Sequence, residues 1–167
     1  MLIAPGNALP HAKFKTMTAT GPSEVSTDEM FKGKKAVLFA VPGAFTPTCH
    51  VKHLPGFVQH AADFKAKGVD LIACTSVNDV FVLDAWAKAS GARDTVTFLA
   101  DGNGDFAKSI GLEMDRAPSG LGIRSKRYGM LVEDGVVKAL HVEDTPSSAE
   151  RLLADRPVRI CSRWSNG

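Results

Sequence analysis

The chain has 167 residues, of which 44% are hydrophobic and 23% charged, with a formal net charge of +2 at pH 7. This length suits one domain with one core, and the small net charge argues against the strongly basic surface typical of nucleic-acid binding. The N-terminus shows no basic segment before a long apolar run, and no window approaches the roughly 18 apolar residues of a membrane span. We therefore expect a cytoplasmic protein that binds neither nucleic acid nor membrane.

The first predicted elements are short. Residues 14–17 are predicted to form a weak edge strand, and residues 28–31 a short helix. An uninterrupted run of apolar residues at 36–41 then predicts a buried strand, which Pro42 and Gly43 end.

A helix start follows this strand. Thr46 suits the N-cap position and Pro47 the first helical position, which places Cys49 in the first turn. Free backbone N–H groups and the positive end of the helix dipole stabilise a thiolate there, which lowers the pKa of the thiol from its free value of about 8.5. The pattern thus predicts a nucleophilic cysteine.

Strand-like and helix-like segments alternate through the middle of the chain. The helix continues with apolar residues at three- and four-residue spacing, and Pro55 predicts a kink in it. A strand at 69–75, a helix over Val80–Ala89 and a strand at 96–99 follow. Strands separated by helices usually pair in parallel, so we expect a parallel sheet here.

The last third changes topology. Strands at 128–132 and Val136–Val142 flank Asp134 and Gly135, a two-residue turn signal of an antiparallel hairpin. A final helix is predicted over residues 147–154. The sequence therefore predicts an α/β fold with a central mixed sheet and helices on both faces.

A P-x-x-x-T-x-x-C pattern, formed by Pro42, Thr46 and Cys49, connects the first buried strand to its helix. With four further segments, the chain resembles the peroxiredoxins, and within them the type II or peroxiredoxin-5-like branch. Those segments are HLPGFV at 53–58, KAKGVDLIACTSVND at 65–79, FLAD at 98–101 and RSKRYGMLVEDGVVKALHVE at 124–143.

The resemblance implies a thioredoxin-like fold in a single domain over residues 1–155. It also implies a thiol-dependent peroxidase in antioxidant defence that uses no cofactor. Residues 156–167 lie outside the family pattern and are interpreted as a C-terminal tail, with a cloning remnant as the alternative origin.

The resemblance also implies catalytic roles for four residues. Cys49 is the peroxidatic nucleophile, which attacks one oxygen of the peroxide and becomes a sulfenic acid. Thr46 donates to the thiolate or orients the peroxide, and Pro42 shields the sulfur from water. Arg127 holds the thiolate form and stabilises the transition state through a guanidinium that never gives up its proton.

Three substrate-binding residues complete the pocket that the resemblance implies: Gly43, Thr48 and Arg124. Structural alternatives stay open for several of these residues. Arg124 and Arg127 also suit an ordinary solvated basic cluster, and Cys49 a buried core thiol.

The residues around Cys49 leave other chemistries open. His50 and His53 raise the alternatives of a Cys-His hydrolase or a metal site, but a metal needs converging ligands and the sequence offers no second cluster, so no metal is predicted. A thiol-disulfide oxidoreductase is a rival on the same fold, although it would need a neighbouring resolving cysteine. A redox-sensing or chaperone module is a second rival.

A sulfenic acid must be reduced by a thiol before it over-oxidises. Cys74, in the strand predicted at 69–75, is a candidate resolving cysteine, because some plant relatives use a cysteine at the matching place; the alternative is a core-filling thiol. Cys161 lies in the tail. We expect a one-Cys cycle with glutathione and glutaredoxin, or thioredoxin, as the reductant. The family resemblance also implies a homodimer, with Phe45 and Phe81 among the apolar residues that could rim its contact.

Overall fold

The structure is a computed structural model, and it describes residues 2–46 and 58–142. The strands in these two ranges are β1 (Lys13–Thr18), β2 (Gly21–Ser26), β3 (Lys35–Ala40), β4 (Leu71–Ser76), β5 (Thr97–Ala100), β6 (Glu113–Asp115), β7 (Ile123–Ser125), β8 (Tyr128–Glu133) and β9 (Val136–Val142). The helices are α1 (Thr27–Phe31), α2 (Ala61–Ala66), α3 (Val80–Ala89) and α4 (Asp105–Ser109), with one 3-10 turn at Ala117–Ser119.

Seven of these strands form one mixed sheet in the order β2-β1-β5-β4-β3-β8-β9. The central strands β3, β4 and β5 are parallel to one another. On one side β1 runs antiparallel to β5, and on the other β8 runs antiparallel to β3. The remaining strands, β6 and β7, form a separate two-stranded sheet. The predicted α/β fold with a mixed sheet is confirmed.

Both faces of the central sheet are covered. In β3, Val37 and Phe39 pack into a core with α2 and α3, whereas Leu38 and Ala40 pack into a second core with α1 and α4. Because helices bury both faces, successive residues of β3 are all apolar, which explains the uninterrupted apolar run in the sequence.

The boundaries of the predicted strands and helices agree with the observed ones to within a few residues. The predicted hairpin turn at Asp134 and Gly135 is present. Both hairpin residues have the positive φ of a type I′ turn, 49° and 76°. The strand predicted at 69–75 begins only at Leu71, because the backbone N–H of Val69 donates to the carbonyl of Phe64 and closes α2 instead.

The edge position predicted for residues 14–17 is wrong. β2, which the sequence analysis missed, pairs with β1 along its whole length and forms the edge of the sheet itself. Gly21 and Pro22 predict a turn in place of a strand. Proline is tolerated in a strand at the edge of a sheet, which is where β2 lies. The helix predicted over 147–154 and the kink at Pro55 lie outside the described residues.

Candidate active site

The predicted catalytic and substrate-binding residues that the structure describes lie at the edge of the sheet where β3, β4 and β5 end. Parallel strands place their carboxyl ends at the same edge, where α/β proteins usually bind ligands. β8 runs the other way and begins at this edge, with Tyr128 paired to Ala40. The register therefore brings Arg127 beside the last residues of β3, although 87 positions separate Arg127 from Ala40 along the chain.

The loop after β3 carries three of the predicted residues. Pro42 and Gly43 are buried, whereas Phe45 is 48% exposed and has a left-handed φ of 62°. The hydroxyl of Thr46 donates to the carbonyl of Gly43 over 2.7 Å, and the backbone N–H of Thr46 approaches the same oxygen at 3.4 Å. The single hydroxyl proton is thus in use, and the lone pairs of Oγ1 remain to accept a hydrogen bond.

Arg124 reaches this loop from β7. Its Nε donates to the carbonyl of Leu121 over 2.8 Å, and its Nη1 donates to the carbonyl of Pro42 over 3.4 Å. The half-buried guanidinium is therefore held between the carbonyl of Leu121 and the loop after β3. Arg124 thus lies against the loop that carries Pro42, Gly43 and Thr46.

Gly43 permits this close approach. A Cβ atom at Gly43 would lie 3.0 Å from Cγ2 of Thr46 and 3.1 Å from Nη1 of Arg124. Both distances are shorter than ordinary van der Waals contacts, which lie near 3.5–4.0 Å. Only a residue without a side chain leaves Thr46 and Arg124 where they are.

Arg127 is buried, with 1% of its surface exposed. The alternative of a solvated arginine is therefore wrong for this residue. An arginine guanidinium stays protonated even when it is buried, so Arg127 brings a permanent positive charge into this edge of the sheet.

The loop after β4 holds the loop after β3 through Asn78, which the sequence analysis did not single out. Its Oδ1 accepts a hydrogen bond from the backbone N–H of Ala44 over 2.9 Å, and the hydroxyl of Ser76 contacts the same oxygen. The available signal was its position directly after a buried strand, at the edge where ligands bind.

Two titratable groups lie behind this edge. Burial, followed by the charges of Asp101 and Cys74, raises the pKa of the Tyr128 phenol well above its ordinary value of 10.0, so the phenol stays neutral. Burial also raises the pKa of Asp101, whose carboxylate accepts the backbone N–H groups of Phe106 and Ala107 at 3.0 and 2.9 Å and so fixes the start of α4.

Cys74 lies in the middle of β4 and is fully buried. Its neighbours in the sheet register are Phe39 and Phe98, and its Sγ contacts the carbonyl of Thr75 at 4.0 Å. The side chain packs into the core that also contains α2 and α3.

Several predicted residues lie outside the described ranges: Thr48, Cys49, His50, His53 and Cys161. Within residues 2–46 and 58–142, no group of three or more His, Cys, Asp and Glu side chains is arranged to hold a metal ion. No helix in the same part of the chain is long and apolar enough to cross a membrane.

Comparison with known proteins identifies the family. The Redoxin family model matches residues 4–154. The chain is 49% identical to chloroplastic Peroxiredoxin-2E of Arabidopsis thaliana, over 90% of this chain and 68% of that protein. It is 46% identical to mitochondrial Peroxiredoxin-2F of the same plant, over 75% of this chain and 62% of that protein.

A solved structure agrees with these relatives. Reduced Prx3 of Vibrio vulnificus in complex with hydrogen peroxide superposes with a TM-score of 0.90 at 49% identity, over 96% of this chain and 99% of that one. The mixed sheet is thus the thioredoxin-like fold that the resemblance implied. The chain belongs to the redoxin family and, within it, to the type II peroxiredoxins, which are thiol-dependent peroxidases.

Proposed function

We propose that this peroxidase reduces hydrogen peroxide and alkyl hydroperoxides with Cys49 as its peroxidatic residue. The observation that carries the proposal is the convergence of Arg124 with Gly43 and Thr46 on the loop after β3, since Thr46 precedes Cys49 by three positions in the sequence. Such a convergence provides fixed polar groups around a nucleophile before the reaction starts. The hydrogen peroxide in the Vibrio vulnificus structure supports the choice of substrate.

In the proposed reaction, the Cys49 thiolate attacks one oxygen of the peroxide. An S–O bond forms as the O–O bond breaks, and the second oxygen leaves as hydroxide or alkoxide and takes up a proton. Cys49 becomes a sulfenic acid. Arg127 and Arg124 stabilise the thiolate and the charge that develops on the leaving oxygen, because neither guanidinium loses its proton.

The loop residues orient the peroxide in this proposal. Since the proton of the Thr46 hydroxyl is donated to Gly43, Oγ1 is available to accept the O–H of the peroxide. Pro42 has no N–H and shields the sulfur from water. Gly43 leaves room for the substrate, and the backbone of Thr48 adds a donor, as the family resemblance implies.

A thiol then regenerates the enzyme. One thiol condenses with the sulfenic acid to a mixed disulfide and releases water, and a second thiol reduces that disulfide to free Cys49. We propose glutathione with glutaredoxin, or thioredoxin, as this reductant. The burial of Cys74 supports the one-Cys cycle, because its sulfur would have to leave the core before it could resolve the sulfenic acid.

We also propose a homodimer that works in a reducing compartment, the cytoplasm. Phe45 and Phe81 are 48% and 65% exposed, and both follow strands that end at the active-site edge, which favours a contact there. Light scattering after size exclusion should give about twice the monomer mass of 17.8 kDa. A monomer at micromolar concentration contradicts the dimer.

Stopped-flow oxidation by hydrogen peroxide tests the catalytic proposal. Wild type is compared with Cys49→Ser and with Cys74→Ser as the matched control, and intact mass is read after one equivalent of peroxide. Rapid oxidation that is lost only in Cys49→Ser, with a sulfenic or glutathionylated product, supports the one-Cys cycle. A mass loss of two hydrogens that Cys74→Ser abolishes would identify Cys74 as the resolver, and equal rates in wild type and Cys49→Ser would refute the role of Cys49.

A further inference from the structure

The segment between β4 and α3, residues 76–79, is anchored at both ends. At its start, the carbonyl of Ser76 accepts the backbone N–H of Asp101 over 3.0 Å. At its end, the carboxylate of Asp79 accepts the backbone N–H of Val82 over 2.8 Å and caps α3. A side chain between these two anchors is carried on a backbone that the sheet and the helix both hold in place.

Asn78 occupies that position, and its amide oxygen faces the active-site loop. The backbone N–H of Ala44 can only donate, so the Asn78 atom that lies 2.9 Å from it must be the acceptor Oδ1. The Ser76 hydroxyl contacts the same oxygen and adds a second donor. Two hydrogen bonds thus converge on one atom and fix the rotamer of the amide.

This contact lies in the middle of the loop residues to which the proposed function assigns the binding of peroxide. Ala44 follows Gly43 and precedes Phe45, whose left-handed φ shows that the loop turns sharply there. Thr46 bonds back to Gly43 across the same turn, and Arg124 bonds to Pro42 on its other side. The contact between Ala44 and Asn78 therefore joins this turn to the segment between β4 and α3.

We propose that Asn78 is a positioning residue for peroxide reduction, because its amide oxygen holds the backbone of the 42–46 loop in the geometry that places Thr46 and Arg124 around the peroxide. The inference rests on the proposed peroxidatic role of Cys49. A displacement of about 1 Å in a positioned reactive group can cost about 100-fold in rate, so a single hydrogen bond to the loop is enough to matter.

The test compares two reactions of Cys49. Oxidation by hydrogen peroxide needs the peroxide pocket, whereas alkylation by iodoacetamide needs only an accessible thiolate. The ratio of the two rate constants therefore isolates the pocket from changes in the thiol pKa. In Asn78→Ala, we expect this ratio to fall by about 10-fold to 100-fold, while the alkylation rate constant stays close to that of wild type.

Matched variants complete the design. Asn78→Asp keeps an acceptor oxygen for Ala44 and should restore the ratio towards the wild-type value. Asn103→Ala removes an exposed asparagine from a turn at the same edge and should leave the ratio unchanged. If Asn78→Ala does not fold, Asn78→Gln provides the same test, since the extra methylene displaces the amide oxygen.

Each outcome decides the inference. If the ratio of oxidation to alkylation in Asn78→Ala or Asn78→Gln equals that of wild type, the positioning role of Asn78 is refuted. The role is also refuted if the ratio in Asn78→Asp is as low as that in Asn78→Ala, because an acceptor oxygen would then not restore the reaction. A wild-type protein that peroxide oxidises no faster than Cys49→Ser instead refutes the proposed function itself, so the two failures are distinguishable.

Discussion

Replacement of Gly43 by alanine tests the geometry of the active-site loop most directly. The added methyl group would meet Cγ2 of Thr46 at 3.0 Å and Nη1 of Arg124 at 3.1 Å. The φ of Gly43 is not positive, so its backbone conformation accepts alanine and the effect comes from these two contacts.

The magnitude follows from the distances. Both contacts are tighter than nearly all real Cβ contacts, so Thr46 and Arg124 must each move by a few tenths of an ångström. Such a shift disrupts the bond from Thr46 to Gly43 and the longer bond from Arg124 to Pro42. We expect the rate constant for oxidation by peroxide to fall by about 10-fold to 100-fold, and the free energy of unfolding to fall by about 1–3 kcal/mol from overpacking.

The assay is stopped-flow oxidation of Gly43→Ala by hydrogen peroxide, with chemical denaturation on the same samples. Gly102→Ala is the matched control, because a Cβ there meets its nearest atom, the carbonyl oxygen of Asn78, at an ordinary 3.7 Å. A Gly43→Ala variant with the wild-type oxidation rate would refute the reasoning, since both side chains would then have moved without consequence for the reaction.

Three further predictions concern buried groups. Arg127→Gln should lower the rate constant for peroxide oxidation by about 100-fold to 1000-fold, as expected for the loss of a fixed donor to developing charge. Its circular dichroism spectrum should be unchanged, and a stopped-flow rate constant equal to that of wild type would exclude a catalytic role for Arg127. Cys74→Ser should leave that rate unchanged but lower the free energy of unfolding by about 1–3 kcal/mol, because a hydroxyl replaces a thiol in the core; denaturant titration checks this, and undiminished stability argues against it. Burial raises the pKa of Asp101 above its ordinary 3.8, so the folded chain binds this proton more tightly than the unfolded chain does. The stability that Asp101 contributes is therefore fully present below pH 3.8 and is lost as the pH rises through the folded pKa. The melting temperature of wild type minus that of Asp101→Asn should therefore decrease from pH 4 to pH 7, and an increase would contradict the sign.

The sequence predicts most of the local structure, because the relevant signals lie within a few residues of one another. The apolar run of β3 identifies a strand buried on both faces, and the dipeptide at 134–135 identifies the hairpin of β8 and β9. The spacing of Pro42, Thr46 and Cys49 identifies the peroxidatic pattern in the same way. The sequence does not predict β2, because this segment becomes a strand by pairing with β1 and its composition is not typical of a strand.

Local sequence patterns do not predict contacts between segments that are far apart in the chain. The burial of Arg127 follows from the antiparallel register of β8 against β3, and a basic cluster in the sequence does not distinguish it from a solvated arginine. The contact of Asn78 with Ala44 depends on β3 and β4 being parallel neighbours whose carboxyl ends meet at one edge.

The sequence by itself determined the central strands and their helix, the final hairpin, the nucleophile to test and the family to which the chain belongs. Only the tertiary structure decided which side chains surround the active-site loop: Arg124 and Asn78 at its backbone, and Thr46 across Gly43. The physical reason is that a strand or turn depends on neighbouring residues, whereas a site depends on the pairing of strands far apart in the chain.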